Sequence, residues 1–189
     1  MESSDMELSG LKTKVDLIAI GDALEAIALR SVLESFGVEV RCHFVASVKK
    51  LISFLNGNEF LHKTVIISCH GDEKGMILPE LTPELENTMP YRRVLSASDC
   101  TEFLELKDQV IINTGCCLGK DGFAKSFIQG GASAYVGFET YPEGNAVVLF
   151  VISFLYFFIC QDQTLRTAFK KAKSLDERES FVKLHEKKS

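Results

Sequence analysis

A chain of 189 residues, 46% hydrophobic and 25% charged, has the length and composition of one globular domain with a sizeable core. A formal net charge of -5 and an isoelectric point near 5.4 exclude a general nucleic-acid binder. The six cysteines (42, 69, 100, 116, 117 and 160) lack zinc-finger spacing, and Met1 to Gly10 is acidic and polar rather than a secretory signal. Free thiols in the reducing cytoplasm are therefore expected, with no metal or cofactor.

Residues 1–14 read as a flexible lead-in, 15–175 as the folded domain and 176–189 as a charged tail. Val15 to Ile20 is an apolar run ending at Gly21-Asp22, the pattern of a buried strand. Leu29, Val32, Leu33 and Phe36 recur at helical spacing, and Gly37 stops that helix. Val38 to Val45 is a second strand. Ser47 caps a helix with the stripe Val48, Leu51, Ile52 and Leu55, and Thr64 to Ser68 is a third strand. This β-α-β-α-β alternation predicts a three-layer αβα sandwich around a mostly parallel sheet.

Gly75, Pro79, Pro83 and Pro90 break the rhythm between Gly71 and Ala97. There only 76–78 and 94–95 look strand-like, and the excursion reads as a site-forming loop. A short helix over 98–106 leads into a strand at 109–114. A helix with Phe123, Ala124, Phe127 and Ile128, a strand at 133–138 and a last helix with Leu165, Ala168, Phe169 and Ala172 complete the pattern. Between the last two lies Ala146 to Cys160, uncharged and almost wholly apolar. As a helix it reaches about 22 Å against about 30 Å of hydrocarbon, so it predicts a buried helix rather than a membrane span.

Two stretches carry chemistry. Val65-Ile66-Ile67-Ser68-Cys69-His70-Gly71 and Val110-Ile111-Ile112-Asn113-Thr114-Gly115-Cys116-Cys117 are β-branched runs that stop at a reactive side chain. In neighbouring parallel strands, His70 and Cys116 emerge at the carboxyl edge, where such sheets bind ligands. A thiolate nucleophile needs a base, and imidazole can take its proton and return it to a leaving amine. Backbone N–H groups at Gly71 and Cys116 would face an oxyanion. His43, His62 and His185 lack such placement and receive no role.

An apolar strand ending in His-Gly, followed by one ending in Cys-x-x-Gly, resembles the caspase–gingipain superfamily (clan CD) of cysteine peptidases, and its CHAT branch in particular. Gln129 to Gly137 is similar to the glycine-alanine turn and strand of gingipain and CHAT members, and Ser96-Ala97-Ser98-Asp99 also looks like them. The resemblance implies His70 as base, Cys116 as nucleophile, Gly71 with Cys116 in the oxyanion hole, and peptide hydrolysis through an acyl-enzyme without metal or cofactor. The metacaspase Asp two positions before the cysteine is Thr114 here, leaving Asp72 and Glu139 as acidic candidates for the substrate pocket. The caspase Cys-Arg-Gly spacing selects Cys117 as the alternative nucleophile.

Two other readings stay open. Gly115-Cys116-Cys117-Leu118-Gly119 also fits the nucleophile turn of class I glutamine amidotransferases, with Cys117 as nucleophile and His185-Glu186 as the only later His-acid pair. A catalytically silent scaffold or adaptor module of the same fold is the other. The expected partners are a protein or peptide substrate and a second copy or regulator bound through 146–160 or the 72–97 excursion, with neither nucleic acid nor a membrane span.

Overall fold

The computed structural model describes residues 14–21, 23–176 and 181–187. The strands are β1 (Lys14–Ile20), β2 (Glu39–Val45), β3 (Thr64–Ser68), β4 (Met76–Ile77), β5 (Val94–Leu95), β6 (Val110–Asn113), β7 (Ala134–Phe138) and β8 (Val182–Glu186). The helices are α1 (Leu24–Ser35), α2 (Val48–Leu55), α3 (Pro83–Glu86), α4 (Ala97–Thr101), α5 (Asp121–Gln129), α6 (Gly144–Leu155) and α7 (Leu165–Lys173). The main sheet runs β2-β1-β3-β6-β7-β8; all its pairings are parallel except β7 with β8.

Both sheet faces are covered, which is why the central strands are apolar throughout rather than alternating. The two-residue side-chain period still sorts them. Ile18, Ile20, Val65 and Ile67 pack with α2, α4 and α5, whereas Val15, Leu17, Ala19 and Ile66 pack with α1, α6 and α7. Phe150 and Phe154 of α6 are fully buried, each worth about 1.5–3 kcal/mol of burial. No helix is long and apolar enough to cross a membrane among the described residues.

Two features differ from the sequence reading. The apolar stretch 146–160 is not one regular helix: α6 ends at Leu155, and Tyr156–Cys160 is a π-helical turn closed by the Gln161 N–H on the Tyr156 carbonyl. The expected charged tail supplies an edge strand, β8, with Val182 paired to Phe138 and Glu186 to Ala134. At an edge only part of a strand faces the core, so Val182 is buried while Lys183 is exposed. The lead-in, apart from Lys14, lies outside the described residues, as do Asp22, 177–180 and 188–189.

The 72–97 excursion is tethered to the sheet. Met76–Ile77 pairs antiparallel with Val94–Leu95, and the Ile77 N–H donates to the His70 carbonyl at 2.9 Å. Asp72 makes the turn: its N–H donates to the Gly75 carbonyl, and its Oδ1 accepts from the N–H groups of Lys74 (2.7 Å) and Gly75 (3.1 Å). The hairpin thus folds back on the exit of β3.

Candidate active site

Strand register determines which residues meet. Ile67 of β3 pairs with Asn113 of β6, and His70 and Cys116 each lie three residues beyond that pair. The strands stay tied past their ends, with the Thr114 N–H donating to the Ile67 carbonyl at 3.0 Å. The two exit loops then come into contact. A Cβ on Gly71 would overlap the Cys116 carbonyl and stand 2.8 Å from Leu118 Cγ, so only glycine allows this approach.

The cysteine turn is held from below. Asn113 Oδ1 accepts from the Gly115 N–H at 2.9 Å and the Cys69 thiol at 3.4 Å, linking the turn to β3. The buried Tyr135 hydroxyl donates to the Leu118 carbonyl at 2.8 Å. The Cys117 and Gly119 N–H groups donate to the Thr140 and Phe138 carbonyls at the exit of β7. Cys117 has φ +64°, a left-handed conformation uncommon outside glycine and costly enough that it gathers at functional turns.

His70 and Cys116 line one cavity of about 250 Å³, together with Glu25, Ser68, Cys69, Thr114, Pro142, Gly144 and Val147. The Gly71 N–H has no backbone hydrogen-bond partner among the described residues, and the Cys116 N–H faces its own sulfur. The Cys116 thiol is pushed above its ordinary 9.0 by burial first, then by Cys117 and Glu25. The free protein therefore keeps the proton on sulfur, and a base must remove it for the thiolate to attack.

The other sequence candidates fall elsewhere. Cys117 is buried, and its thiol reaches Glu73 at 3.5 Å, beneath the Glu73–Lys120 ion pair. Asp72 serves its turn and Glu139 pairs with Lys183 at 3.4 Å; neither lines the cavity of His70 and Cys116. His185 lies within β8 rather than in a strandless tail, its Nε2 3.3 Å from the Gly119 carbonyl.

Glu25, in the first turn of α1, was not among the sequence candidates. Its Oε1 accepts from Ser68 Oγ at 2.7 Å and Thr114 Oγ1 at 2.6 Å, while Oε2 has no partner among the described residues. One signal in the sequence pointed to it. It follows the exit of β1, at the same sheet edge as His70 and Cys116, where polar side chains at strand exits line ligand crevices.

A mostly parallel six-stranded sheet between two helical layers is the fold of the caspase-like cysteine peptidases. Two of its known forms superimpose on the chain. Separase in the Saccharomyces cerevisiae separase–securin complex does so with a TM-score of 0.61 at 9% identity, over 93% of this chain and 12% of that one. The Arg specific cysteine proteinase gingipain R (RgpB) gives 0.56 at 12% identity, over 92% and 46%. The Porphyromonas gingivalis complex of RgpB pro- and mature domains gives 0.54 at 11%, over 92% and 47%. The chain thus spans less than half the length of these neighbours. No protein-family model matches it, and no curated protein does.

Proposed function

We propose that the chain is a cysteine endopeptidase with a His70–Cys116 dyad and a preference for a basic side chain before the scissile bond. The observation that carries this reading is the shared cavity of His70, Cys116 and Glu25 at the exits of β3, β6 and β1. The Arg specificity of the gingipain R neighbour agrees with an acidic group in such a cleft. The Gln129 to Gly137 stretch keeps the CHAT branch as our assignment within the fold.

In the proposed reaction His70 takes the Cys116 proton as sulfur attacks the peptide carbonyl. The oxyanion faces the Gly71 and Cys116 N–H groups. Collapse breaks the C–N bond, His70 protonates the leaving amine, and an acyl-thioester remains on Cys116. Water, deprotonated by His70, then releases the acid and regenerates the thiol. The substrate's cation neutralises Glu25, one of the groups that hold the thiol protonated.

We assign this work to the cytoplasm, where the six free thiols persist. A second copy or regulatory protein would meet 146–160 where Leu149 and Tyr156 stand exposed. The deciding test is a positional-scanning peptide library against wild type, Cys116→Ala, Cys117→Ala and His70→Ala. Cleavage is expected to vanish in Cys116→Ala and His70→Ala and to survive largely in Cys117→Ala. The reverse cysteine result moves the nucleophile to Cys117, and a glutaminase assay then tests the amidotransferase chemistry. No cleavage by folded wild type, with no selective thiol alkylation, leaves the scaffold reading.

A further inference from the structure

The opposite end of the sheet holds a larger cavity, of about 450 Å³, lined by Phe54, Phe60, Leu61, His62, Leu106 and Gln109 with lysines and glutamates around it. That volume lies within the range of small-molecule sites, as does its apolar character with few polar groups. Beside it sits Asp16 of β1, the one acidic or basic side chain that is buried among the described residues.

Asp16 is a hub. Its carboxylate accepts from Arg41 Nε (2.5 Å) and Nη2 (3.0 Å), His43 Nε2 (2.8 Å), the His62 N–H (2.6 Å) and His62 Nδ1 (3.0 Å). One partner lines the cavity and the other two contact residues that do. His62 lines it directly. Arg41 donates to the Phe60 carbonyl at 2.5 Å and lies 5.4 Å from the Phe60 ring centre. The His43 ring lies 4.4 Å from that of Phe54. One buried charge thus orients His62 in the cavity wall and the two side chains behind Phe60 and Phe54, the supporting shell that a binding site requires. Phe60 is nonetheless 68% exposed, an aromatic wall with little covering it.

Hydrogen bonds also set the polarity of two polar groups in the cavity. An ionised carboxylate only accepts, so His62 donates Nδ1–H, and in the neutral ring Nε2 is an acceptor. Gln109 is nearly buried, and its Oε1 accepts from the Lys107 N–H at 2.5 Å, which leaves its NH₂ as donor. Neither His62 Nε2 nor Gln109 Nε2 has a partner among the described residues. An acceptor and a donor beside the exposed Phe60 ring match a flat ring carrying adjacent N–H and C=O.

We propose that this cavity binds a planar heteroaromatic lactam, the N–H/C=O edge of a nucleobase, with its ring against Phe60 and its edge on His62 and Gln109. The site is separate from the His70–Cys116 cleft and does not depend on peptidase activity.

The test is calorimetric titration of the full chain with uridine and with 3-methyluridine, whose ring N–H is blocked. Saturable one-to-one uridine binding is expected, weakened at least tenfold by the methyl group. Gln109→Glu keeps the acceptor for Lys107 but turns the donor into an acceptor, and Phe60→Ala removes an exposed wall. Each is expected to weaken uridine at least fivefold; the thermal midpoint stays near that of wild type in Phe60→Ala and falls in Gln109→Glu, whose carboxylate is nearly buried. No saturable uridine binding, equal binding of both nucleosides, or an unchanged affinity in a folded Gln109→Glu variant overturns the proposal.

Discussion

Replacing Glu25 by glutamine removes one charge from the cleft and almost nothing else. The amide oxygen still accepts from Ser68 and Thr114, at 2.7 and 2.6 Å in the native protein, so the thermal midpoint should hardly move. A guanidinium about 4 Å from the carboxylate gains about 4 kcal/mol at an effective dielectric of about 20. Glu25 is only half-buried, and desolvating the guanidinium returns part of that gain. The remainder is roughly 1.5–3 kcal/mol, the range for hydrogen bonds to charged groups. In kcat/KM that is roughly 10- to 150-fold. The assay compares fluorogenic peptides with Arg, Lys or Gln before the cut. Wild type should favour Arg and Lys, and Glu25→Gln should lose that preference without a matching loss on the Gln peptide. An unchanged Arg-to-Gln ratio in the variant would refute the role of Glu25 in substrate choice.

Three further outcomes follow from the geometry. Gly71→Ala drives a methyl into the Cys116 carbonyl and Leu118, so it should cost about 1–3 kcal/mol of stability and at least about 100-fold in kcat/KM; retention of full activity would show that the loop contact is dispensable. The Cys116 thiol sits above 9.0, so iodoacetamide should alkylate it slowly at pH 7 and about tenfold faster per pH unit up to 9, with Glu25→Gln faster throughout that range; a rate that is flat between pH 7 and 9 would contradict a protonated resting thiol. Asp16 is held below its ordinary 3.8: burial opposes this, but the bonds from Arg41, His62 and His43 outweigh it. A lowered folded value means its contribution is complete above pH 3.8 and is lost as pH falls through that value toward the folded one. Asp16→Asn should therefore cost roughly 2–4 kcal/mol near neutrality and flatten the acid limb of the unfolding curve; an acid limb identical to wild type would remove Asp16 from the account.

Much of the fold was legible because it rests on short-range regularities. Apolar runs at 15–20, 64–68 and 110–113 cannot form amphipathic helices, and the intervening helical stripes leave a wrapped parallel sheet as the simplest burial solution. His70 and Cys116 could be singled out for the same reason: a reactive side chain ending a β-branched run must leave the sheet at its edge. Ser96 with Asp99 forms a full capping box, which starts the helix at Ala97, one residue before the start read from the pattern. The strand β8 was not legible, since an edge strand of mixed polarity has the composition of a tail. The π-helical turn at 156–160 also left no mark in an apolar string that any helix would satisfy.

By itself, then, the sequence determined the layers, the strand order in time and the two residues at the ends of β3 and β6, all consequences of pattern within a few residues. Tertiary structure decided what lies across from what. The Ile67–Asn113 register brought the two loops to the same height, and only packing showed that Glu25 joins them while Asp72 and Glu139 do not. The surroundings of the two adjacent thiols were of the same kind. Cys116 borders the cavity and Cys117, at φ +64°, turns toward Glu73, because the Cys117 and Gly119 N–H groups donate to the Thr140 and Phe138 carbonyls far along the chain. The Asp16 hub, too, gathers groups from β1, β2 and the segment just before β3 that no local spacing connects, since strand pairing acts between segments and side-chain pattern only within them.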